Sequence, residues 1–171
     1  PKTIFGVSGG AALYPREVLE KIGLLDERFV AYFEDADLCM RARLAGYSCA
    51  LVPEACAYHV GSASLGGKTW WRSQQCFRSH VLLVLKDFPT AVLVRHRDAI
   101  VREIKHQARM LLTSARAEYG LVGAIILLID SIVRVVATIP WALRERQRIQ
   151  STRAISAEEF DALLTPTRDA R

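Results

Sequence analysis

The stretch that most restricts the fold of this chain is an apolar run in its second half. Residues 121–143 are 23 consecutive residues with two charged side chains, Asp130 and Arg134, and a membrane-spanning helix needs about 20 apolar residues. Each charge at the centre of such a helix costs about 2.5–3.5 kcal/mol, whereas each aliphatic residue returns about 0.3–0.6 kcal/mol. The balance favours a helix in the membrane interface, or in a membrane-dipping hairpin, over a spanning helix or an ordinary packed helix.

Charge is distributed unevenly along the chain. Residues 1–67 carry six Lys/Arg and eight Asp/Glu, a net charge of −2, whereas residues 68–171 carry 17 and 10, a net charge of +7. A basic and aliphatic second part suits an anionic membrane surface. Aromatic residues make up 8% of the chain and no zinc-finger or RNA-binding signature occurs, so nucleic acid is not an expected partner.

Turn and cap residues divide the chain into a mixed part and a helical part. Pro15 and Gly23 bracket a short amphipathic helix. The other predicted elements are strands over residues 4–14 (interrupted at 8–10), 47–52 and 55–60, and helices over residues 35–46, 70–86, 91–116, 121–148 and from the capping box at 156–159 onward. These elements predict an α/β part over residues 1–88 and a basic amphipathic helical tail, associated with a membrane, over residues 89–171.

Three carboxylates stand where a polar loop runs into the second predicted helix. An acid at a helix start can accept backbone N–H bonds and interact favourably with the helix dipole, which explains at least one of Glu34, Asp35 and Asp37. Asp37 and Arg41 are spaced i, i+4 and are predicted to pair on the helix surface. Glu34 and Asp35 remain as candidates for chemistry, because adjacent side chains diverge and one can face a cleft while the other braces the loop.

His59 is the candidate metal ligand. It follows Asp35 by 24 residues and stands at the end of a predicted strand, next to a Gly/Ser-rich loop at residues 62–68. A lone histidine in a strand is more often a structural residue than a ligand, and both interpretations stay open. The four cysteines lack a Cys-x-x-Cys pair, which favours small buried hydrophobic residues in a reducing compartment.

The order of the short motifs over residues 5–64 carries a family resemblance. The motifs are Ser8-Gly9-Gly10, Pro15-Arg16-Glu17-Val18, Gly23-Leu24-Leu25-Asp26-Glu27-Arg28-Phe29, Tyr32-Phe33-Glu34-Asp35-Ala36-Asp37-Leu38, Gly46-Tyr47, Val52-Pro53 and Tyr58-His59-Val60-Gly61-Ser62. This series resembles the C-terminal half of family 2 glycosyltransferases of the bacterial rhamnosyltransferase-like kind. The resemblance implies the C-terminal part of a GT-A fold, in which an inverting enzyme moves a sugar from a nucleotide diphosphate to an acceptor hydroxyl.

The resemblance also implies a catalytic base and a metal ligand. The base of the family is the second acid of a Glu-Asp pair, which falls on Asp35 with Glu34 before it. A histidine after the following strands can complete a divalent metal site, for Mg²⁺ or Mn²⁺, and this position falls on His59. Such an enzyme needs a base for the proton of the acceptor and an electrophile for the departing diphosphate.

Substrate-binding residues follow from the same resemblance. The glycine-rich turn near the sugar and the acceptor falls on Gly9 and Gly10. An arginine in the helix after the loop at residues 62–68 matches Arg78, and Ser79 stands where the family often has asparagine. That loop is expected to close over the donor and exclude water.

The resemblance places the nucleotide-binding half of the enzyme before Pro1. The chain is therefore expected to be a piece of a longer protein and inactive alone. The function expected of the whole protein is sugar transfer to a glycan or lipid-linked acceptor in cell-envelope polysaccharide synthesis, at the inner face of the bacterial plasma membrane. The alternative is a non-catalytic membrane-surface or assembly module, and a metal-dependent hydrolase is weaker because too few ligands are present.

Overall fold

The structure is a computed structural model that describes residues 2–59 and 69–164, and helices take up 69% of these residues. In chain order the elements are β1 (Lys2–Ile4), α1 (Arg16–Ile22), α2 (Glu34–Leu44), β2 (Cys49–Leu51), α3 (Thr69–Asp87), α4 (Thr90–Arg95), α5 (Arg97–Ser151) and α6 (Ala157–Leu164). The two strands pair antiparallel, with Lys2 opposite Leu51 and Ile4 opposite Cys49.

The predicted α/β fold of the GT-A kind is wrong. Within the described residues the sheet consists of two strands of three residues each, whereas an α/β fold covers both faces of a larger, mostly parallel sheet with helices. Residues 11–14 and 55–59 were expected to be strands and are irregular; Val60 lies outside the described residues. A strand needs a neighbour that supplies backbone hydrogen bonds, and no described element pairs with these segments.

Most of the helical predictions are confirmed, because they rest on local signals. The single helix predicted over residues 91–116 is instead divided at His96 into α4 and the first part of α5. Helix α1 begins after Pro15 and ends at Gly23, whose φ of +85° is in the left-handed region that suits glycine. Helix α3 ends at Asp87, two residues before Pro89. The capping box forms as expected: Glu159 N–H donates to Ser156 Oγ at 3.1 Å, and Ser156 N–H donates to Glu159 Oε2 at 2.7 Å.

Helix α5 is bent into two arms that both pack on α3. The bend lies at Gly120, where φ is +68°, and residues 97–119 and 121–151 run away from it side by side along α3, as the two arms of a hairpin. A Cβ atom at Gly123 would lie 2.5 Å from the Cβ atom of Tyr119, so the turn needs glycine there too. Phe77 of α3 is buried with Leu111, Ala115 and Ala124 of the two arms. Thus α3, which precedes the predicted domain boundary at residue 88, packs against the helix that follows it; the boundary itself stays a prediction.

A second core joins α2, α3, α4, α5 and α6. Its buried members share close apolar contacts across these five helices and the loop before α2; they are Phe29, Met40, Leu44, Leu82, Leu83, Val92, Ala142, Ile149, Ala157 and Phe160. Two polar contacts fix the end of α5 on the end of α3: Arg146 donates to the carbonyl oxygen of Leu85 at 3.1 Å, and Gln150 donates to that of Asp87 at 2.8 Å. Helix α2, which carries Glu34, Asp35 and Asp37, is thereby held on the helical tail.

Asp37 and Arg41 form the predicted i, i+4 pair, but the pair is buried and not on the helix surface. Asp37 is 0% exposed and Arg41 is 5% exposed. Asp37 Oδ2 accepts hydrogen bonds from Arg41 Nε at 3.0 Å and from Arg41 Nη2 at 2.7 Å. The same guanidinium donates to the carbonyl oxygens of Ile22, Gly23 and Leu24 at the end of α1. Arg41 therefore satisfies carbonyl groups that the end of a helix leaves unpaired.

Lys86 extends this pair into a buried charge cluster. The ammonium group of Lys86, which is 2% exposed, forms ion pairs with Asp26, at 2.9 Å, and with Asp37. It also lies over the rings of Phe29 and Trp141, 5.1 and 5.7 Å from their centroids. Asp87, the next residue, is fully buried, and neither of its carboxylate oxygens meets a hydrogen-bond donor among the described residues.

Replacement of Asp87 with asparagine is expected to stabilise the fold at alkaline pH. Burial, and secondly the negative charge of Asp37, raise the pKa of Asp87 well above its usual value. The folded protein therefore keeps this proton where the unfolded chain has lost it, so stability falls as pH rises from about 4 towards the raised pKa. Asparagine is neutral without binding a proton, so Asp87→Asn removes this pH-dependent cost, and we expect the free energy of unfolding at pH 8 to rise by about 1–3 kcal/mol.

Urea unfolding of both proteins between pH 4.5 and 8.5 measures this difference. The gap in unfolding free energy between the variant and the parent should shrink towards pH 4.5, because the unfolded chain then also begins to bind this proton, near the ordinary aspartate pKa of about 4. Asp98→Asn is the matched control, since Asp98 is an exposed aspartate of α5 and its replacement should give no pH-dependent gap. A variant as stable as the parent, or less stable, at pH 8 contradicts the assignment.

Candidate functional site

Glu34 and Asp35 lie in the lining of a cleft among the described residues. The cleft has a volume of about 610 Å³. Most of its lining is apolar and comes from Ala12, Leu19, Leu24, Leu25 and Leu38, with Gly9, Tyr14, Glu27, Glu34 and Asp35 as the remaining members. An apolar cleft with a few polar groups is the usual form of a small-molecule site.

The carboxylate of Asp35 is held in one orientation at this cleft. Its Oδ2 atom accepts a hydrogen bond from Gly9 N–H at 2.9 Å, and its Oδ1 atom accepts one from Ala36 N–H at 2.8 Å. Asp35 stands in the first turn of α2 and is half-buried. Each oxygen retains a second acceptor position, and the side chain is therefore a fixed and accessible carboxylate.

A close approach between two backbone segments brings Gly9 to Asp35. A Cβ atom at Gly6 would lie 2.7 Å from the Cβ atom of Cys39, so only glycine lets the segment after β1 lie against α2. The next residue is bonded to the same side chain: Val7 N–H donates to Cys39 Sγ at 3.3 Å, and the thiol donates to Val7 O at 3.6 Å. The sequence interpretation missed Gly6 and Cys39. The i, i+4 spacing of Asp35 and Cys39 puts both on one face of α2 and was the signal for their shared role.

The loop that leads into α2 has an unusual backbone conformation. Tyr32 and Phe33 have φ angles of +64° and +69°, a left-handed conformation that costs a non-glycine residue of order 1–3 kcal/mol. Helix α3 holds this loop: the Phe33 ring stacks on His80 with a centroid distance of 5.5 Å, and the Ser79 hydroxyl donates to the carbonyl oxygen of Ala31 at 3.2 Å. Packing on α3 thus maintains the strained turn directly before the acid pair.

The stacked histidine is neutral and half-buried. Burial lowers the pKa of His80 below its usual value, so the imidazole packs on the Phe33 ring without a charge. His80 thus supports the turn that positions Glu34 and Asp35.

Glu34 lies beside Asp35 in the cleft lining but in a different environment. Its Oε2 atom is buried without a hydrogen-bond donor in the part of the chain that the structure describes. Asp35 is instead bonded to two backbone N–H groups. The two neighbouring acids therefore have different surroundings, although both line the cleft.

His59 and Gly10 lie close together on the far side of Gly9. A Cβ atom on Gly10 would be 3.8 Å from Nδ1 of His59, and His59 is exposed. The structure therefore brings Gly9, Gly10, Asp35 and His59 into one neighbourhood.

These residues do not form a complete metal site by themselves. Among residues 2–59 and 69–164, no group of three His, Cys, Asp or Glu side chains could hold a metal ion. Asp35 and Asp37 have the Asp-x-Asp spacing, but Asp37 is buried against Arg41 and Lys86 and faces away from the solvent. A metal held by His59 would need ligands from outside the described residues.

Arg78 lies apart from this neighbourhood. It lines a separate small cavity of about 20 Å³ together with Arg28 and Arg134, and it donates to Gln75 Oε1 at 3.4 Å. Burial, and secondly the positive charge of Arg134, lower the pKa of Arg78. Arg78 is not in the lining of the cleft at Asp35, so the structure does not join it to the other predicted site residues. The loop at residues 62–68, predicted to cover the donor, lies outside the described residues.

Comparisons with known proteins give little further information. The chain is 34% identical over 76 residues to an uncharacterized protein, y4gI, of Sinorhizobium fredii (strain NBRC 101917 / NGR234). The matched stretch is 44% of this chain and 8% of that protein, so the chain spans less than a tenth of the length of this relative. No protein-family model matches the chain, and no solved structure matches it significantly.

The approach of Gly6 to Cys39 predicts a difference between two glycine substitutions. In Gly6→Ala the new methyl group overlaps the Cys39 side chain, so we expect a loss of about 1–3 kcal/mol of stability. In Gly9→Ala the nearest atom, Asp35 Cβ, is 3.5 Å away, an ordinary contact, and the change should stay within about 0.5 kcal/mol. Denaturant unfolding of the two variants measures this difference, and equal stabilities would contradict the close packing at Gly6.

Proposed function

We propose that this chain supplies the acceptor side and the catalytic base of an inverting, membrane-associated glycosyltransferase, with Asp35 as the base. The observation that carries the proposal is the Asp35 carboxylate, fixed by Gly9 N–H at 2.9 Å beside a largely apolar cleft. The order of the motifs around Asp35, which resembles family 2 glycosyltransferases, supports the same role. The proposal concerns the chemistry of the site and does not depend on a GT-A fold.

The proposed reaction needs one base at the acceptor. Asp35 removes the proton from the acceptor hydroxyl while the acceptor oxygen forms a bond to the anomeric carbon of the donor sugar. The bond from that carbon to the diphosphate oxygen breaks, and the nucleoside diphosphate leaves with the electron pair. The bond to Gly9 prevents the carboxylate from rotating away from the acceptor, and such positioning of a base contributes to rate.

The lining of the cleft bears on the acceptor. Leu19, Leu24, Leu25 and Leu38 offer apolar surface, which suits a lipid-linked acceptor or the apolar face of a glycan ring. The donor, a nucleoside diphosphate sugar, would bind chiefly to residues outside these 171. A divalent ion, Mg²⁺ or Mn²⁺, would likewise be held mostly outside this chain, with His59 as one ligand.

The proposed location is the cytoplasmic face of the bacterial plasma membrane, with a role in cell-envelope polysaccharide synthesis. One helix among the described residues, α5, is long and apolar enough by length and composition to cross a membrane. That property is compatible with membrane association. We further propose a peripheral position at the inner face of this membrane. The cleft would then lie where soluble nucleotide sugars and membrane-linked acceptors meet.

The first test replaces the proposed base. In the full-length protein, Asp35→Asn should lower the rate of sugar transfer by about 10²–10⁴-fold and leave donor binding within about twofold, because the amide cannot take the proton. Transfer from a nucleoside diphosphate rhamnose to membrane-extracted acceptor is followed by release of the nucleoside diphosphate, and donor binding by calorimetry. Asp98→Asn is the matched control, since Asp98 is also an aspartate in the first turn of a helix. Turnover retained in Asp35→Asn would remove Asp35 from the role of base.

The second test concerns His59. If His59 is a ligand, His59→Ala should raise the Mn²⁺ concentration that half-saturates activity by about tenfold or more, and should weaken Mn²⁺ binding measured by electron paramagnetic resonance. His106→Ala, on an exposed position of α5, should change neither. An unchanged Mn²⁺ titration in His59→Ala would show that His59 is not a ligand.

The second candidate function is a non-catalytic membrane-surface or assembly module. The exposed apolar surface of α5 is the observation that favours it, because such a surface needs no catalytic residue. The two candidates differ in one measurement: the module predicts no nucleoside diphosphate release by the full-length protein with any donor. An Asp-x-Asp motif after a hydrophobic strand upstream of Pro1 would favour the enzyme.

A further inference from the structure

The second arm of α5 carries a continuous apolar surface that faces away from the protein. Val122, Ile126, Ile129, Val133 and Val136 are 55–72% exposed and follow one another at helical spacings of three and four residues. They form one face of the helix, here named the apolar stripe. Leu121, Ile125, Ile132 and Leu143 border it and are 44–55% exposed. Soluble proteins seldom leave so large an apolar patch open to water.

The opposite face of this arm is already used for packing. Ala124, Ser131 and Ala142 are 0% exposed, and Gln74 of α3 donates to Ser131 Oγ at 3.2 Å and to Asp130 Oδ2 at 3.3 Å. The buried face therefore contacts protein while the apolar stripe contacts nothing described. In the most apolar 18 residues of α5, 11% are buried, so this is not the core helix of a soluble bundle.

The charges around the apolar stripe favour an anionic bilayer as its occupant. Residues 68–171 carry a net charge of +7, and Arg144 and Arg148 are exposed about two and three turns beyond the stripe. Within the stripe region the charged side chains are Asp130 and Arg134. Arg134 Nε donates to both carboxylate oxygens of Asp130, at 2.8 Å each, so the two charges compensate each other. A protein partner would need acidic side chains that match these arginines, whereas an anionic lipid surface supplies negative headgroups along the whole length of the helix.

The position of the Asp130–Arg134 pair distinguishes a flat helix from a spanning one. Each residue follows a stripe residue by one position, which is about 100° around the helix. The pair therefore lies at the edge of the stripe, where it would reach the lipid headgroups if the helix axis lay in the membrane plane. In a spanning helix the same two charges would be near the bilayer centre. Spanning would also remove Gln74 from its partners or draw α3 into the lipid.

From this geometry we infer that the second arm of α5 binds an anionic bilayer with its axis parallel to the surface, the apolar stripe inserted at the level of the headgroups and the opposite face still packed on α3. This inference rests on the proposed membrane association but not on the proposed chemistry of Asp35. It assigns the membrane contact to one helical face and excludes a transmembrane topology.

Vesicle flotation of the purified 171-residue chain tests the surface. The chain should float with vesicles of about 70% phosphatidylcholine and 30% phosphatidylglycerol. The phosphatidylglycerol gives these vesicles an anionic surface. Val133→Asp/Val136→Asp should lower the partition coefficient roughly tenfold or more, because it places two charges in the stripe. Val94→Asp/Val101→Asp is the matched control: both valines are exposed, at 66% and 47%, but lie off the stripe, and binding should stay within about twofold.

Three outcomes of this experiment overturn the inference. They are equal binding of the two double variants, absence of binding by the parent chain, and binding that resists alkaline carbonate extraction as a spanning helix would. Circular dichroism of each variant identifies any loss of binding that arises from unfolding, and in that case Ile129→Asn replaces the double variant. If sedimentation shows a dimer that Val133→Asp/Val136→Asp converts to a monomer without loss of vesicle binding, the stripe covers a second copy and the inference is also wrong.

The result is independent of the catalytic proposal. Asp35→Asn should float with the vesicles as the parent does, because Asp35 lies on α2 at the cleft and not on α5. If the parent protein binds vesicles but transfers no sugar, or if Asp35→Asn retains transfer, the catalytic proposal is wrong and the membrane contact stands. If the parent protein transfers sugar but does not float with the vesicles, the membrane contact is wrong and the catalytic proposal stands.

Discussion

The buried ion pair between Lys86 and Asp37 is the interaction on which most of this structure depends. It joins α3 to α2, and Asp26, Arg41 and the ring of Trp141 enclose it from the α1–α2 loop, from α2 and from α5. Removing one partner of a buried pair costs about 3–5 kcal/mol, because the other charge is left without compensation. The cluster therefore imposes one relative arrangement on three helices that apolar contacts alone would leave less specific. Asp87, buried beside it with a raised pKa, keeps a proton that relieves the excess of negative charge.

This cluster also determines what the acids at the start of α2 can do. Two residues along a helix correspond to about 200° of rotation, so with Asp37 directed into the core, Asp35 is directed away from it. The burial of Asp37 and the accessibility of Asp35 are thus two consequences of one helix orientation. The strained turn at Tyr32 and Phe33, packed on His80 of α3, completes the arrangement. An anchored acid and an accessible acid in one helical turn give the site its rigidity.

The helices show how much of the fold can be predicted from local sequence signals. Caps, prolines and glycines indicated α1, α2, α3 and the capping box at Ser156, because each signal acts within a few residues of the backbone it controls. The strand predictions were wrong because a strand depends on a partner elsewhere in the chain. Residues 11–14 and 55–59 have strand-like composition, but composition does not show whether a partner strand lies beside them. At the site, Gly9, Gly10, Asp35 and His59 were expected together and lie together. Arg78 was expected with them and lies between α3 and α5, since its place depends on how the helices pack.

The sequence by itself determined where the helices begin and end, that the run at residues 121–143 is apolar, and that Glu34 and Asp35 are candidates for chemistry. Only the tertiary structure decided which face of that run is buried on α3 and which is open, that Asp37 lies in the core with Lys86, and that Gly6 brings Gly9 to Asp35. The physical reason is that propensity and capping act within a few residues, whereas burial, ion pairing and close backbone approach join residues that are up to about 60 positions apart, as Asp26 and Lys86 are.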